Sequence, residues 1–181
     1  YRIRDPQPLR YIFVLDGTNK AVTTGVLDAS LQAMEACVEV LKEVSGAEMG
    51  LCVFDTVVHV ITEKVGVGAT GYKNEHIHEI CMTDPDDAYA VTDYSLWLLP
   101  PSSRSDSLLR IIRYIRQTFM TARGQEVQGA AYGCSTAAVR TAVGALSACG
   151  GHVTLVECSG PLLGVGRVSS TEVLGLYGTD D

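Results

Sequence analysis

Missing from this sequence is any apolar stretch approaching the ~20 residues that a membrane-spanning helix requires, although hydrophobic residues make up 46% of it. A soluble domain is expected. Basic charge is also scarce: 14 Lys and Arg stand against 21 Asp and Glu, a net charge of -7. Proteins that grip nucleic acid displace counterions with clustered Lys and Arg, so this balance argues against that partner class. No Cys-x-x-Cys pair occurs among the six cysteines, Cys37, Cys52, Cys81, Cys134, Cys149 and Cys158. Most sit in apolar segments and read as reduced core thiols of a cytosolic protein. The N-terminus, YRIRDPQPLR, puts charges and prolines where a secretory signal has its apolar core, and it starts without Met. The chain is therefore expected to be a piece of a longer protein. At 181 residues it has the length of one domain, enough to bury about 70% of its unfolded surface without staples.

What is present alternates between two periodicities. YIFVLD and HVTLVECSG are short continuous apolar runs, the pattern of strands buried on both faces of a parallel sheet. LCVFDTVVHVITEK reads as two further strands joined as a hairpin near Asp55 and Thr56. Between them Leu27, Leu31, Met34, Val38 and Leu41 recur at helical spacing, with Gly46 as a stop. Leu108, Ile112, Ile115 and Phe119 mark a second amphipathic helix, with Ser105 or Asp106 as N-cap candidates. A third helix, from about Gly129 to Cys149, is rich in Ala and suits close packing on the sheet. The predicted class is α/β, with a largely parallel central sheet flanked by helices on both faces. Residues from Val65 to about Ser103 are less regular, with GVGATGY and LPPSSRS as loop signals.

In such sheets ligands sit beyond the carboxyl ends of the strands, where Asp16 of VLDGTNK would stand. One reading is a phosphatase of the haloacid dehalogenase type, whose strand ends in Asp-x-Asp-Gly-Thr. The nucleophile's place holds Val14, and a valine cannot form an aspartyl-phosphate. Another is a metal-ion-dependent adhesion site of the von Willebrand factor A type, built on Asp-x-Ser-x-Ser with a distant Thr and Asp. Carboxylates and hydroxyls are the hard ligands Mg²⁺ wants, and Asp16 and Thr18 fit. Lys20 replaces the second hydroxyl, and Ser159 of VECSG stands where the third-loop acid belongs. An ammonium about 4 Å from a divalent ion would repel it by roughly 8 kcal/mol at an effective dielectric of 20. No metal is expected at Asp16, Thr18, Lys20 and Ser159.

Weaker signals complete the inventory. His76 and His78 share one face of a strand with Cys81 nearby, a possible zinc set that lacks a fourth ligand in sequence and reads better as the polar face of an edge strand. GVGATG has the glycines of a phosphate loop but neither its Lys nor an apolar helix after it. Arg110, Arg113 and Arg116 form a stripe opposite an apolar helix face, a solvated surface or a contact for an acidic partner.

Taken in order, the segments RDPQPLRYIFVLDGTNKAVTTGVL, GLCVFDTVVHVI, PPSSRSDSLLRIIRYI and GGHVTLVECSGPLLGVG resemble the trunk domain of the cargo-adaptor subunit in the inner shell of the COPII vesicle coat. The resemblance covers nearly the whole chain, with Val65 to Leu99 matching loosely. It implies a single von Willebrand A-like domain over residues 1–181 and a non-enzymatic role. It also implies pairing with the sister coat subunit, cargo selection through the full-length adaptor, and budding from the endoplasmic reticulum to the Golgi. The implied location is cytoplasmic and peripheral, on exit-site and COPII vesicle membranes. The family reads Asp-Val-Ser where this chain has Asp16, Gly17 and Thr18. Its zinc lies in a preceding Cys-x-x-Cys domain that is absent here, so no cofactor is expected in this chain. The rival reading is a metal-dependent ligand-binding A domain. Trp97, the sole tryptophan, is a candidate interface anchor, with a place in the domain's own core as the alternative.

Overall fold

The computed structural model describes residues 7–63, 77–89, 96–122, 132–158 and 160–168. The chain runs β1 (Arg10–Asp16), α1 (Asn19–Thr23), α2 (Val26–Leu41), β2 (Glu48–Phe54), β3 (Val58–Glu63), β4 (Ile77–Met82), α3 (Pro101–Ile115), α4 (Ser135–Leu146) and β5 (His152–Val156). A π-helical turn, Arg116–Ala122, continues α3. The strands form one sheet in the order β4-β3-β2-β1-β5.

The α/β expectation holds, and the parallel pairing has a definite extent. β1 lies parallel to both β2 and β5, whereas β3 and β4 extend the sheet antiparallel. Loop length explains the change of direction at β3. Residues 55–57 can only reverse the chain, while a parallel return needs a crossover of a dozen or more residues such as α2. Asp55, which sequence reading put at this hairpin, makes the turn by accepting the Val57 N–H through Oδ1 at 3.0 Å.

Period-two alternation sends the two halves of each strand into separate cores. On one face Phe13, Leu15, Met49, Leu51, Val53 and Ile61 pack under Leu27, Leu31, Met34 and Val38 of α2 and Leu108, Ile111, Ile112 and Ile115 of α3. On the other, Ile12, Val14, Cys52, Phe54, Val58 and Val60 meet Ala137, Ala138, Ala142, Ala145 and Leu146 of α4. Each fully buried Leu there contributes about 1.5–3 kcal/mol of transfer free energy. The small α4 side chains let that helix lie close to the sheet.

Two expectations are revised. α3 starts at Pro101, ahead of Ser105 and Asp106, because a proline at the first helical position gives up only an N–H that has no partner anyway. Its backbone does break at Arg104 (φ -130°, ψ 26°), just before those residues. β5, read as buried on both faces, is largely exposed, with Leu155 at 39%. Among the described strands it ends the sheet and pairs only with β1.

Candidate functional site

Asp16 closes β1 and is buried, at 1% exposure. Its Oδ1 accepts the Thr18 N–H at 2.8 Å and its Oδ2 accepts the Cys158 N–H at 2.9 Å. The Thr18 hydroxyl accepts the Ala21 N–H at 3.4 Å and so caps α1. Both groups that would offer oxygen to a cation are thus engaged by backbone donors, and Lys20 is exposed on α1. Ser159 lies outside the described residues. Gly17 is dictated by packing: a Cβ there would come within 2.6 Å of Val53 Cγ1 and 2.9 Å of Phe119 Cδ1. Val14, at the nucleophile position of the phosphatase reading, is fully buried.

A second constellation lies across the β3–β4 ladder. His59 pairs directly with Cys81, and Ile61 with Glu79, so His59, Glu79 and Cys81 share one face. His59 is buried, Glu79 half-buried and Cys81 exposed. His59 Nδ1 lies 2.6 Å from Glu79 Oε1 and its Nε2 lies 3.1 Å from Asp55 Oδ1. Cys81 Sγ is 3.4 Å from His59 Nδ1 and 3.3 Å from Glu79 Oε1. Tyr114 of α3 donates its hydroxyl to Glu79 Oε2 at 2.6 Å. The Phe119 ring meets the imidazole edge to face, with centroids 5.2 Å apart. The hydrogen bond with His59 pulls the Glu79 carboxyl down; burial opposes it, Tyr114 adds to it, and the result is about 2. The carboxylate is ionised throughout the physiological range.

Of the His76, His78 and Cys81 set weighed from the sequence, the ladder separates His78 from Cys81. Residues three apart in a strand face opposite ways, so His78, across from Thr62, lies on the face away from Cys81. His76 and GVGATG fall outside the described residues. The arginine stripe is largely spoken for within the chain: Arg110 pairs with Glu63, and Arg116 with Asp28 and Glu35. Arg113 is exposed.

Trp97, weighed as an interface anchor, is 1% exposed and packs in the core beside α4. Its indole N–H donates to the Leu51 carbonyl at 2.9 Å, and Gly50 makes room for it, since a Cβ there would stand 3.0 Å from Nε1. The cysteines are also more varied than expected: Cys52 and Cys134 are buried, Cys37, Cys149 and Cys158 are partly buried, and Cys81 is exposed. None forms a disulfide among the described residues.

Comparison with known proteins bears on this geometry. The chain is 25% identical over 175 residues to the protein transport protein SEC24 B of Arabidopsis thaliana, covering 97% of this chain and 15% of that protein. It is 25% identical over 172 residues to human Sec24B, covering 95% of this chain and 12% of that one. It thus spans a small part of these relatives' length. The crystal structure of the human COPII-coat protein Sec24c matches with a TM-score of 0.71 at 17% identity, over 94% of this chain and 22% of that one. That likeness speaks to the fold. The model of the Sec23/Sec24 trunk domain matches residues 6–181, and the chain belongs to that family.

Proposed function

We propose that this chain is a non-enzymatic scaffold domain of a COPII-type coat protein, pairing with the Sec23-type sister subunit for cargo selection and budding from the endoplasmic reticulum to the Golgi. It would work on the cytoplasmic side, at exit-site and vesicle membranes, with cargo reached through the rest of the adaptor. Membership of the trunk family supports the coat role. The occupied oxygens of Asp16 and the buried Val14 speak against chemistry at the strand end. Function then lies in a surface.

The observation that carries the pairing is the exposure of β5. A strand of sequence HVTLV would be expected inside, yet both its faces are accessible. Beside it Tyr11, Phe13, Cys37, Val40 and Leu41 line an apolar groove of about 290 Å³ between β1 and α2. Val40 is 67% exposed. A strand that ends the sheet among the described residues and carries apolar side chains is a template for another chain, and stable pairs of folded proteins bury about 1,200–2,000 Å². A homologous trunk fits such a surface.

Mixing this chain with the Sec23-type subunit should give a 1:1 complex on size exclusion. Val40→Asp combined with Leu155→Glu should abolish the complex while leaving the melting temperature of the free chain within a few degrees. Full binding by that double variant would defeat the assignment of the surface. Absence of any complex with wild type would defeat the pairing.

A further inference from the structure

His59, Glu79 and Cys81 bring an imidazole nitrogen, a carboxylate oxygen and a sulfur within 4.8 Å of one another from two paired strands. We propose that this cluster is a zinc site, with His59 Nδ1, one Glu79 oxygen and Cys81 Sγ as three protein ligands and water completing the tetrahedron. The inference is independent of the coat reading.

Distance is the first argument. Ligands 2.0–2.3 Å from zinc in tetrahedral geometry stand about 3.3–3.7 Å apart. The sulfur already stands 3.4 Å from the imidazole nitrogen and 3.3 Å from the carboxylate oxygen. Only the 2.6 Å contact between Nδ1 and Oε1 is too short, and a small rotation of the Glu79 side chain opens it. An ion uses all three atoms at once.

The groups behind the ligands are the second argument. A histidine that binds metal through one nitrogen almost always donates its other N–H to a carboxylate or carbonyl, which fixes the tautomer and raises its basicity. Asp55 Oδ1 stands 3.1 Å from His59 Nε2, and the Asp55 carboxylate is itself held by the Val57 N–H. Glu79 has the same kind of support, since Tyr114 occupies the oxygen that the ion would not use. Ladder pairing sets the register of all three ligands, so the site is built on strands rather than on a loop.

Ligand chemistry chooses the ion. Thiolate with imidazole suits zinc, whereas Mg²⁺ and Ca²⁺ need shells of hard oxygen. Exposure of Cys81 against burial of His59 leaves the sulfur as the side from which the ion enters. Binding requires the Cys81 thiolate and a free lone pair on Nδ1, so the thiol proton and the proton shared between Nδ1 and Glu79 leave to solvent as the ion arrives.

The test uses the 181-residue chain, reduced with a phosphine and stripped of metal, titrated with Co²⁺ and then Zn²⁺. Wild type should bind one cobalt with a thiolate-to-metal charge-transfer band in the near ultraviolet, and zinc should displace it. Cys81→Ser, at an exposed position that should still fold, should lose the band, whereas Cys158→Ser should keep it. Tyr114→Phe should keep the band with affinity weakened about 10–100-fold. No band with stoichiometric cobalt, or a band that survives in Cys81→Ser, overturns the proposal.

Discussion

Asp16 and Cys158 are 142 residues apart in sequence and joined by one hydrogen bond, the Cys158 N–H donating to Asp16 Oδ2 at 2.9 Å. The other oxygen of the same carboxylate holds the Thr18 N–H, so one buried side chain ties the ends of β1 and β5 to the start of α1. An arrangement that could have presented oxygens to a cation presents them to the backbone instead. Hydrogen bonds to a charged acceptor contribute about 1.5–3 kcal/mol each. Asp16→Ala should therefore cost roughly 3–5 kcal/mol in urea denaturation, and Asp16→Asn less, since it keeps one acceptor oxygen. A cost below about 1 kcal/mol for Asp16→Ala would mean that water replaces the carboxylate.

Hard cations should not find this corner. A specific ligand at 100 times its dissociation constant adds about 2.7 kcal/mol of stability, which a thermal melt detects easily. Melts with and without millimolar Mg²⁺ or Ca²⁺ should coincide. A rise of several degrees that Asp16→Ala removes would restore the metal-dependent reading.

Thiol accessibility separates the cysteines. Burial pushes the Cys134 thiol up to about 12, with the nearby Asp55 charge adding to the effect, and burial moves Cys52 in the same direction. Neither should alkylate at neutral pH until denaturant is added, because the thiolate is the reactive form. Cys81, exposed on β4, should label in the native chain once it is stripped of metal. Mass spectrometry of peptides after a short iodoacetamide pulse reads the order, and early labelling of Cys52 or Cys134 would contradict the packing.

Much of this was legible in the sequence because local chemistry decided it. The apolar run of β1, the Asp55 turn and the spacing of Leu27, Leu31, Met34 and Val38 each have one physical solution. The Asp16 contact with the Thr18 N–H is local as well, two residues on from the strand end. The exposure of β5 was not legible, because an apolar run of five residues reads alike in a central strand and at an edge that a partner could cover. Nor was the cluster at Cys81: His59 and Glu79 are 20 residues apart, and only the β3–β4 register says that they share a face. Parity was the usable signal, since it separates Cys81 from His78 and joins it to Glu79.

Trp97 should behave as a core residue and as a reporter of folding. Its native fluorescence should be blue-shifted and should redden in one step with urea, because the indole is buried and its N–H is held by Leu51. Trp97→Ala should cost about 3–5 kcal/mol. Trp97→Phe, which keeps most of the volume, should cost about 1–3 kcal/mol for the lost hydrogen bond to Leu51 and the smaller ring. Emission typical of an exposed indole in the native chain would contradict its burial.

Acid should expose the link between β3 and α3. Glu63 ends β3 and accepts from both Arg104 and Arg110, the latter at 2.6 Å. Burial alone would raise its carboxyl above the ordinary 4.5, but hydrogen bonds from Ser107, Arg104 and Arg110 outweigh burial and hold it at about 2. A carboxylate whose folded value is depressed binds its proton more readily in the unfolded chain. Its stabilising contribution is therefore complete above the unfolded value, about 4.3, and is lost as pH falls towards 2. Urea midpoints of wild type and Glu63→Gln should differ most at pH 5 to 7 and converge between pH 4 and 2, with the difference isolating Glu63 from other carboxylates. The arginine side chains are 40% and 43% exposed, so added salt should shrink the neutral-pH difference by screening. A difference that stays constant from pH 6 to pH 2 would show that the glutamate is held by packing rather than by its charge.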